Sequence, residues 1–109
     1  TQLFFDNEKF FAFVRKAREM GITIPIIPGI KPLAKLSQLT VVPKTFHCDI
    51  PEALAKEIVK CKTDDEARQL GIEWTTSQCR ELYANGVKNI HFYTVSAVDS
   101  VAEIAKRLL

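Results

Sequence analysis

Two short apolar runs carry polar side chains whose chemistry suits ligand binding. The first run, T-Q-L-F-F-D at residues 1–6, holds Gln2, and the second, N-I-H-F-Y-T at residues 89–94, holds His91, Tyr93 and Thr94. A primary amide presents donors and an acceptor in one plane, so Gln2 is either a ligand contact or a hydrogen-bonded core or chain-end glutamine. Tyr93 and Thr94, near the end of their run, are candidates for the mouth of a site. His91 is better explained as a structural residue with a hydrogen-bond partner.

Other reactive residue types lack the spacing that their chemistry needs. His47, Cys48 and Asp49 are adjacent, and adjacent side chains rarely converge on one ion, so we predict no metal site. The three cysteines, Cys48, Cys61 and Cys79, form no C-x-x-C pair, which favours reduced thiols over a disulfide framework. No glycine-rich phosphate loop is present either.

Composition and charge exclude several classes of partner. The chain has 109 residues, 47% of them hydrophobic and 26% charged, with a net charge of +2. This charge is too small and too scattered to indicate binding to nucleic acid or to an anionic membrane. No apolar run is long enough to span a membrane and no signal peptide is visible. We therefore expect a cytoplasmic protein.

Three short strands separated by helical stretches predict an α/β fold with a parallel sheet. We place the strands at Thr1–Asp6, Ile24–Pro28 and Asn89–Thr94. Three parallel strands cannot close or cover their own edges. Residues 1–109 are therefore predicted to be a single partial domain of something larger. Gly29, directly after the second strand, is expected to form a tight turn that leaves room for a ligand.

The first helix is bounded by clear local signals. Asp6 or Asn7 is its predicted cap and Gly21 its end. Apolar residues at three- and four-residue steps predict one buried stripe, with Phe11 outside it: Phe10, Phe13, Val14, Ala17 and Met20.

Four further helices are predicted downstream. One runs from Pro32 to Pro43, with Leu33, Leu36, Leu39 and Val42 on a shared face, and the next is capped by Asp49 and directs Leu54, Ile58 and Cys61 inward. A long third helix is capped by Thr63 or Asp64 and ends at Asn85-Gly86. Its Trp74 is predicted to pack in the core, with an interface as the alternative. Gly71 in its interior indicates close packing or a bend. The last helix covers Val98 to Leu109.

Four segments together resemble the C-terminal part of methylenetetrahydrofolate reductase, in its bacterial form. They are T-Q-L-F-F-D, I-P-I-I-P-G-I-K-P, G-I-E-W-T-T-S-Q-C-R-E-L and G-V-K-N-I-H-F-Y-T. The resemblance implies that the three strands are the sixth to eighth of an eight-stranded TIM β/α barrel. It also implies a flavoprotein that uses NADH or NADPH to reduce FAD, and the flavin to reduce methylenetetrahydrofolate to methyltetrahydrofolate for methionine synthesis.

The resemblance also assigns individual residues. Gln2 is implied to lie against the flavin face where folate and nicotinamide bind in turn, and Gln38 to touch folate. An aromatic residue that stacks on the ligand in some members is Val42 here, so the stacking is either lost or supplied by another residue such as Phe46. An arginine that often pairs with the folate tail is Ala97. The family's catalytic acid and nearly all its FAD contacts belong to the part upstream, so no catalytic, cofactor-binding or metal-binding residue is assigned to this chain.

The sequence leaves open the roles of two lysines and the choice between two functional hypotheses. Lys31 follows the middle strand and Lys88 precedes the last one, and neither is an established substitute for the missing arginine. The leading hypothesis is a part of the reductase, inactive alone, that binds folate and NAD(P)H in the intact homo-oligomer. The alternative is a non-catalytic α/β module that self-associates through its exposed strand edges.

Overall fold

The computed structural model describes residues 1–46 and 49–109, apart from the side chains at positions 39, 40, 43 and 46. His47 and Cys48 lie outside the described residues, so the prediction made for the His-Cys-Asp triplet is not tested. None of the described helices combines the length and apolar character needed to cross a membrane. The elements, in chain order, are α1 Asn7–Glu19, β1 Gly29–Ile30, α2 Gln38–Phe46, α3 Glu52–Lys60, α4 Asp64–Ala84, β2 His91–Phe92 and α5 Val98–Leu108.

The sheet is parallel, and this confirms the α/β class. β1 and β2 pair with Gly29 opposite His91 and Ile30 opposite Phe92. An isolated parallel bridge joins Leu3 to Gly29. The first segment, β1 and β2 therefore lie side by side in chain order, as consecutive strands joined by helical crossovers do.

The strands are shorter than predicted, and the middle one is displaced. Residues 24–28 are not a strand, because Pro25 and Pro28 have no N–H to contribute to a ladder. Pro28 supplies only its carbonyl, which accepts from His91 N at 3.0 Å. The first predicted strand is reduced to the bridge at Leu3. The last is reduced to β2, although Tyr93 N still donates to Ile30 O at 2.8 Å.

Helix α1 has the predicted bounds but a different buried face. Asp6 caps it by accepting from Glu8 N at 3.0 Å. The buried side chains include Phe10 and Ala17, but Phe13 and Met20 are 57% and 69% exposed, so their predicted burial is wrong. The cause is Asn7, whose amide donates to Gln78 O at 3.0 Å and to the Glu81 carboxylate at 2.8 Å on α4. These bonds turn the side of Asn7 and Phe11 toward the core.

Helix α2 starts later and ends later than predicted. Residues 31–34 are buried and non-helical, because Lys31 precedes a proline and so favours an extended backbone. Pro43 lies inside α2 and does not end it.

The predicted cap of α3 is wrong, whereas the limits of α4 are confirmed. Asp49 lies too far upstream of Glu52 to reach the first turn, and its carboxylate pairs with Lys9 instead. Thr63 caps α4 by accepting from Glu66 N at 3.1 Å. Gly86, with a φ of +91°, prevents α4 from continuing beyond Ala84. Helix α5 ends one residue before its predicted limit.

The core consists of two clusters on opposite faces of the sheet. The Tyr93-side cluster is covered by residues of α2, α3 and α4, and it comprises Leu3, Phe5, Leu33, Val42, Leu54 and Ile58, with Trp74 and Tyr93 against it. The Ile30-side cluster is covered by α1, α4 and α5, and it comprises Phe10, Ile30, Cys79 and Leu82, with Phe4 and Phe92 against it. The predicted core roles of Leu54, Ile58 and Trp74 are confirmed, and Cys61 is only half-buried.

Gly71 lets α4 and the segment that follows β1 approach each other closely. A Cβ placed on Gly71 would lie 1.8 Å from the carbonyl oxygen of Leu33. The predicted close packing is therefore confirmed, and it holds residues 31–34 across the carboxyl end of the sheet.

Candidate functional site

Gln2 lies just before the bridge that joins the first segment to β1. Its side chain is exposed, and its amide oxygen accepts from Leu3 N at 3.1 Å. Leu3, and not Gln2, is in register with Gly29 and His91. The two amide N–H donors of Gln2 and the second lone pair of its oxygen are therefore the groups that remain for a ligand.

Tyr93 ties the outer two segments together across the middle strand. Its hydroxyl donates to Thr1 O at 2.7 Å, so it meets the peptide group that precedes Gln2. This contact requires Gly29, where a Cβ would lie 2.5 Å from Thr1 O and 2.6 Å from the Tyr93 ring. Gly29 is thus a strand residue and not a turn, and the space predicted for a ligand there is occupied by Tyr93.

His91 and Thr94 are both exposed. His91 was expected to be buried in the sheet and therefore to need a hydrogen-bond partner. This expectation is wrong, because the His91 side chain is exposed to solvent. The His91 ring meets the Tyr93 ring edge-on, with centroids 4.7 Å apart, which agrees with their predicted common side. The carbonyl of Thr94 accepts from Ala97 N at 2.8 Å and closes the turn before α5.

Gln38 holds the turn that begins α2. Its amide oxygen accepts from Ala34 N at 2.6 Å and from Lys35 N at 3.3 Å. Both lone pairs of the oxygen are thereby used, so the half-buried side chain offers a ligand only its N–H donors. Gln38 thus bonds to the segment after β1, and Tyr93 bonds to Thr1, the residue before Gln2, but no hydrogen bond joins the two glutamines among the described residues.

The positions of the two family residues that this chain lacks are both buried. Val42 is 3% exposed and packs in the Tyr93-side cluster, and Ala97 is also 3% exposed. The side chain of Phe46 lies outside the described residues. An open cleft of about 440 Å³ next to Ala97 has mixed charge, because Lys35 and Arg68 line it together with three aspartates, Asp64, Asp65 and Asp99.

Lys31 is buried, and its burial was not predicted from the sequence. It is 8% exposed, and its ammonium nitrogen is buried without a hydrogen-bond partner in the part of the chain that the structure describes. Burial lowers the pKa of this ammonium below its ordinary value. The only signal in the sequence was a lysine placed directly between the strand residue Ile30 and Pro32. Lys88, by contrast, is exposed at the opposite end of the sheet.

A second group of buried polar atoms lies between α1 and α4. The amide oxygens of Asn7 and Gln78 are buried and have no partner among the described residues. Both line a cleft of about 270 Å³ that also includes Glu81. A water molecule is the expected occupant, because such a site is polar and large enough to hold one.

The two described cysteines are poor nucleophiles. Burial raises the pKa of the Cys79 thiol to about 12, and Cys79 is fully buried. Burial, followed by the charges of Glu66 and Glu57, also raises the pKa of Cys61. Since the thiolate is the reactive form, neither residue is suited to nucleophilic chemistry.

We expect iodoacetamide at pH 8 to modify Cys61 before Cys79 in the folded chain. Cys79 should react only on the timescale of unfolding, because its thiol is both protonated and covered. Peptide mass spectrometry after timed labelling measures this, and the same reaction in urea is the control that removes the difference. Equal labelling rates in the folded chain would contradict the buried position of Cys79.

Comparisons with known proteins identify the family of this chain. The family model described as methylenetetrahydrofolate reductase matches residues 1–109. A relative from Caenorhabditis elegans, named probable methylenetetrahydrofolate reductase (NADPH), is 42% identical over 99% of this chain and 17% of its own length. Methylenetetrahydrofolate reductase (NADH) 1 from Zea mays is 35% identical over 99% of this chain and 18% of its own length.

Similarity extends to bacteria as well. The 5,10-methylenetetrahydrofolate reductase of Escherichia coli is 32% identical over 91% of this chain and 34% of its own length. The chain thus spans between about a sixth and a third of these relatives. Because animal, plant and bacterial proteins all match, the expectation of a bacterial form stays a prediction. A match to the family model over every residue nevertheless establishes that the chain belongs to the methylenetetrahydrofolate reductase family.

Proposed function

We propose that these 109 residues are one partial domain, the sixth to eighth βα units of an eight-stranded β/α barrel. In the complete protein, that barrel reduces methylenetetrahydrofolate to methyltetrahydrofolate with NADH or NADPH through FAD. The observation that carries the proposal is the match of residues 1–109 to the family model. The side-by-side order of the parallel segments supports it, because consecutive barrel strands pair in this way.

The role proposed for this chain is ligand recognition at the carboxyl end of the sheet. Gln2 and Gln38 would contact folate and nicotinamide in turn, and Tyr93 and Thr94 would lie at the mouth of the site. The Gln38 oxygen already accepts from two backbone N–H groups, so Gln38 would donate to ligand carbonyls or ring nitrogens. Gln2 would donate in the same way and keeps one acceptor lone pair, because its oxygen accepts from one N–H only. Gln2 is exposed here, and we propose that segments outside this chain cover it in the complete protein.

The proposed function requires FAD, which supplies the redox chemistry when bound. Gln2, Gln38 and Tyr93 suit neutral hydrogen-bonding groups, and neither a cationic cluster nor a glycine-rich loop accompanies them to hold a diphosphate. We therefore assign no FAD contact to this chain. A cytoplasmic location and a homo-oligomeric state remain predictions, as does the alternative of a self-associating module.

The complete protein that contains these residues is expected to oxidise NADH or NADPH in the presence of FAD and methylenetetrahydrofolate. Gln2→Leu should weaken folate binding about tenfold, the value of one hydrogen bond of ~1.4 kcal/mol. Gln38→Glu keeps the acceptor oxygen and removes the donors, so it should weaken folate binding in the same way. The 109-residue chain alone should neither shift the spectrum of added FAD nor turn over.

Steady-state rates and fluorescence titration with methyltetrahydrofolate provide the measurements. Gln69→Leu, on an exposed position of α4, is the matched control and should leave both unchanged. A complete protein without reductase activity would refute the proposed function. An active protein in which Gln2→Leu and Gln38→Glu bind folate normally would refute only the assigned residues.

A further inference from the structure

Lys31 carries a positive charge that nothing described in the chain neutralises. Lys31 is only 8% exposed, and its ammonium nitrogen has no hydrogen-bond partner among the backbone and side-chain groups that the structure describes. A buried charge without a partner disfavours the folded state. An ammonium has three donors and no acceptor, so only an acceptor, preferably an anionic one, can compensate it.

The position of Lys31 places this charge at the carboxyl end of the sheet. Lys31 is two residues after Gly29, so strand alternation gives them the same face, which is also the face of Leu33 and the Tyr93-side cluster. The bond from Tyr93 N to Ile30 O continues the ladder past β1, so Lys31 is level with Tyr93. Ligands of parallel α/β sheets bind beyond this end of the strands.

The charge is held there by packing that leaves it little freedom. Pro32 follows directly and is fully buried, and the next residue, Leu33, lies against Gly71 of α4. The backbone of Lys31 therefore cannot swing outward to return the ammonium to water. A fixed, desolvated cation suits anion binding, because its desolvation already takes place during folding, at the expense of stability, and is not repeated when the anion binds.

We propose that Lys31 binds an anionic oxygen group, a carboxylate or a phosphate, of the ligand that occupies the carboxyl end of the sheet. This inference rests on the proposed function, which supplies both candidate sources: the carboxylates of the folate and the phosphates of the nicotinamide dinucleotide. Pairing with either one would satisfy the buried ammonium, and it would make Lys31 a specificity-determining residue of the site.

The test compares Lys31→Met with Lys88→Met in the complete protein. Methionine keeps the length and apolar stem of the lysine and removes the charge, whereas Lys88 is exposed at the amino end of β2. Calorimetric titrations use methyltetrahydrofolate, a reduced methylpterin without the carboxylate-bearing tail, and NADH. If the anion is the carboxylate, Lys31→Met weakens methyltetrahydrofolate binding tenfold or more and leaves the pterin unaffected. If it is the phosphate, NADH binding weakens instead.

The outcomes separate this inference from the proposed function. Normal binding of methyltetrahydrofolate and NADH by Lys31→Met, within twofold of the Lys88→Met control, overturns the role of Lys31 while the function stands. If the unmodified protein binds neither ligand, the proposed function fails, and inorganic phosphate then decides the anion site. At constant ionic strength, phosphate should raise the Tm of the unmodified protein and not that of Lys31→Met. Equal shifts, or none, overturn the inference.

Discussion

Replacing Gly71 with alanine is expected to lower the free energy of unfolding by about 3 kcal/mol, the upper end of the cost of overpacking a core. The added Cβ would lie 1.8 Å from the carbonyl oxygen of Leu33 and 2.9 Å from its carbonyl carbon. Both are backbone atoms, and Pro32 on one side is fully buried. The segment cannot move away without uncovering the Tyr93-side cluster, so the helix and the segment must separate.

The direction of the stability change distinguishes tight packing at Gly71 from helix propensity. Helix propensity alone would make alanine more favourable than glycine by about 1 kcal/mol in the interior of α4. Chemical denaturation of the unmodified and substituted chains measures the difference. Gln69→Ala, at an exposed position of the same helix, should change stability by less than about 0.5 kcal/mol. A Gly71→Ala chain as stable as the unmodified one would show that Leu33 does not lie against α4.

The elements that the sequence predicted correctly are those set by local signals. Thr63 and the Asn85-Gly86 pair bound α4 because a side-chain cap and a left-handed glycine act within a few residues of themselves. The start of α2 could not be predicted in the same way. Pro32 is compatible with a first helical turn, but the contact between Leu33 and Gly71 joins distant parts of the chain and keeps this segment extended.

In the candidate site, too, features set by the local sequence were predictable and features set by tertiary packing were not. The common side of His91 and Tyr93 follows from strand alternation and was predicted. The use of Gly29 to admit the Tyr93 ring depends on the register between segments, which one sequence does not reveal. The burial of Lys31 also depends on tertiary packing, because a lysine after a strand is ordinarily solvated. The roles of Gln2 and Gln38 came from the family resemblance and stay predictions.

Lys31→Met is expected to raise the free energy of unfolding of the ligand-free chain by about 2 kcal/mol, the cost of a buried unsatisfied charged group. Methionine retains the apolar contacts of the lysine stem and needs no hydrogen-bond partner. Lys88→Met, which removes an exposed ammonium, should change stability by less than about 0.5 kcal/mol. Chemical denaturation at pH 7 without folate or nicotinamide measures both, and a less stable Lys31→Met chain would contradict the unpaired ammonium.

The pH dependence of this gain provides an independent check of its cause. Burial lowers the pKa of Lys31 in the folded chain below its value of 10.5 in the unfolded chain. Below the folded pKa, both states are protonated and the folded chain bears the full penalty. Between the two pKa values the unfolded state binds more protons, so the stability of the unmodified chain rises with pH. The advantage of Lys31→Met should therefore be largest near neutrality and shrink toward pH 10.5. An advantage that stays constant over this range would mean that methionine stabilises by packing alone, and that the charge of Lys31 has a partner in the folded chain.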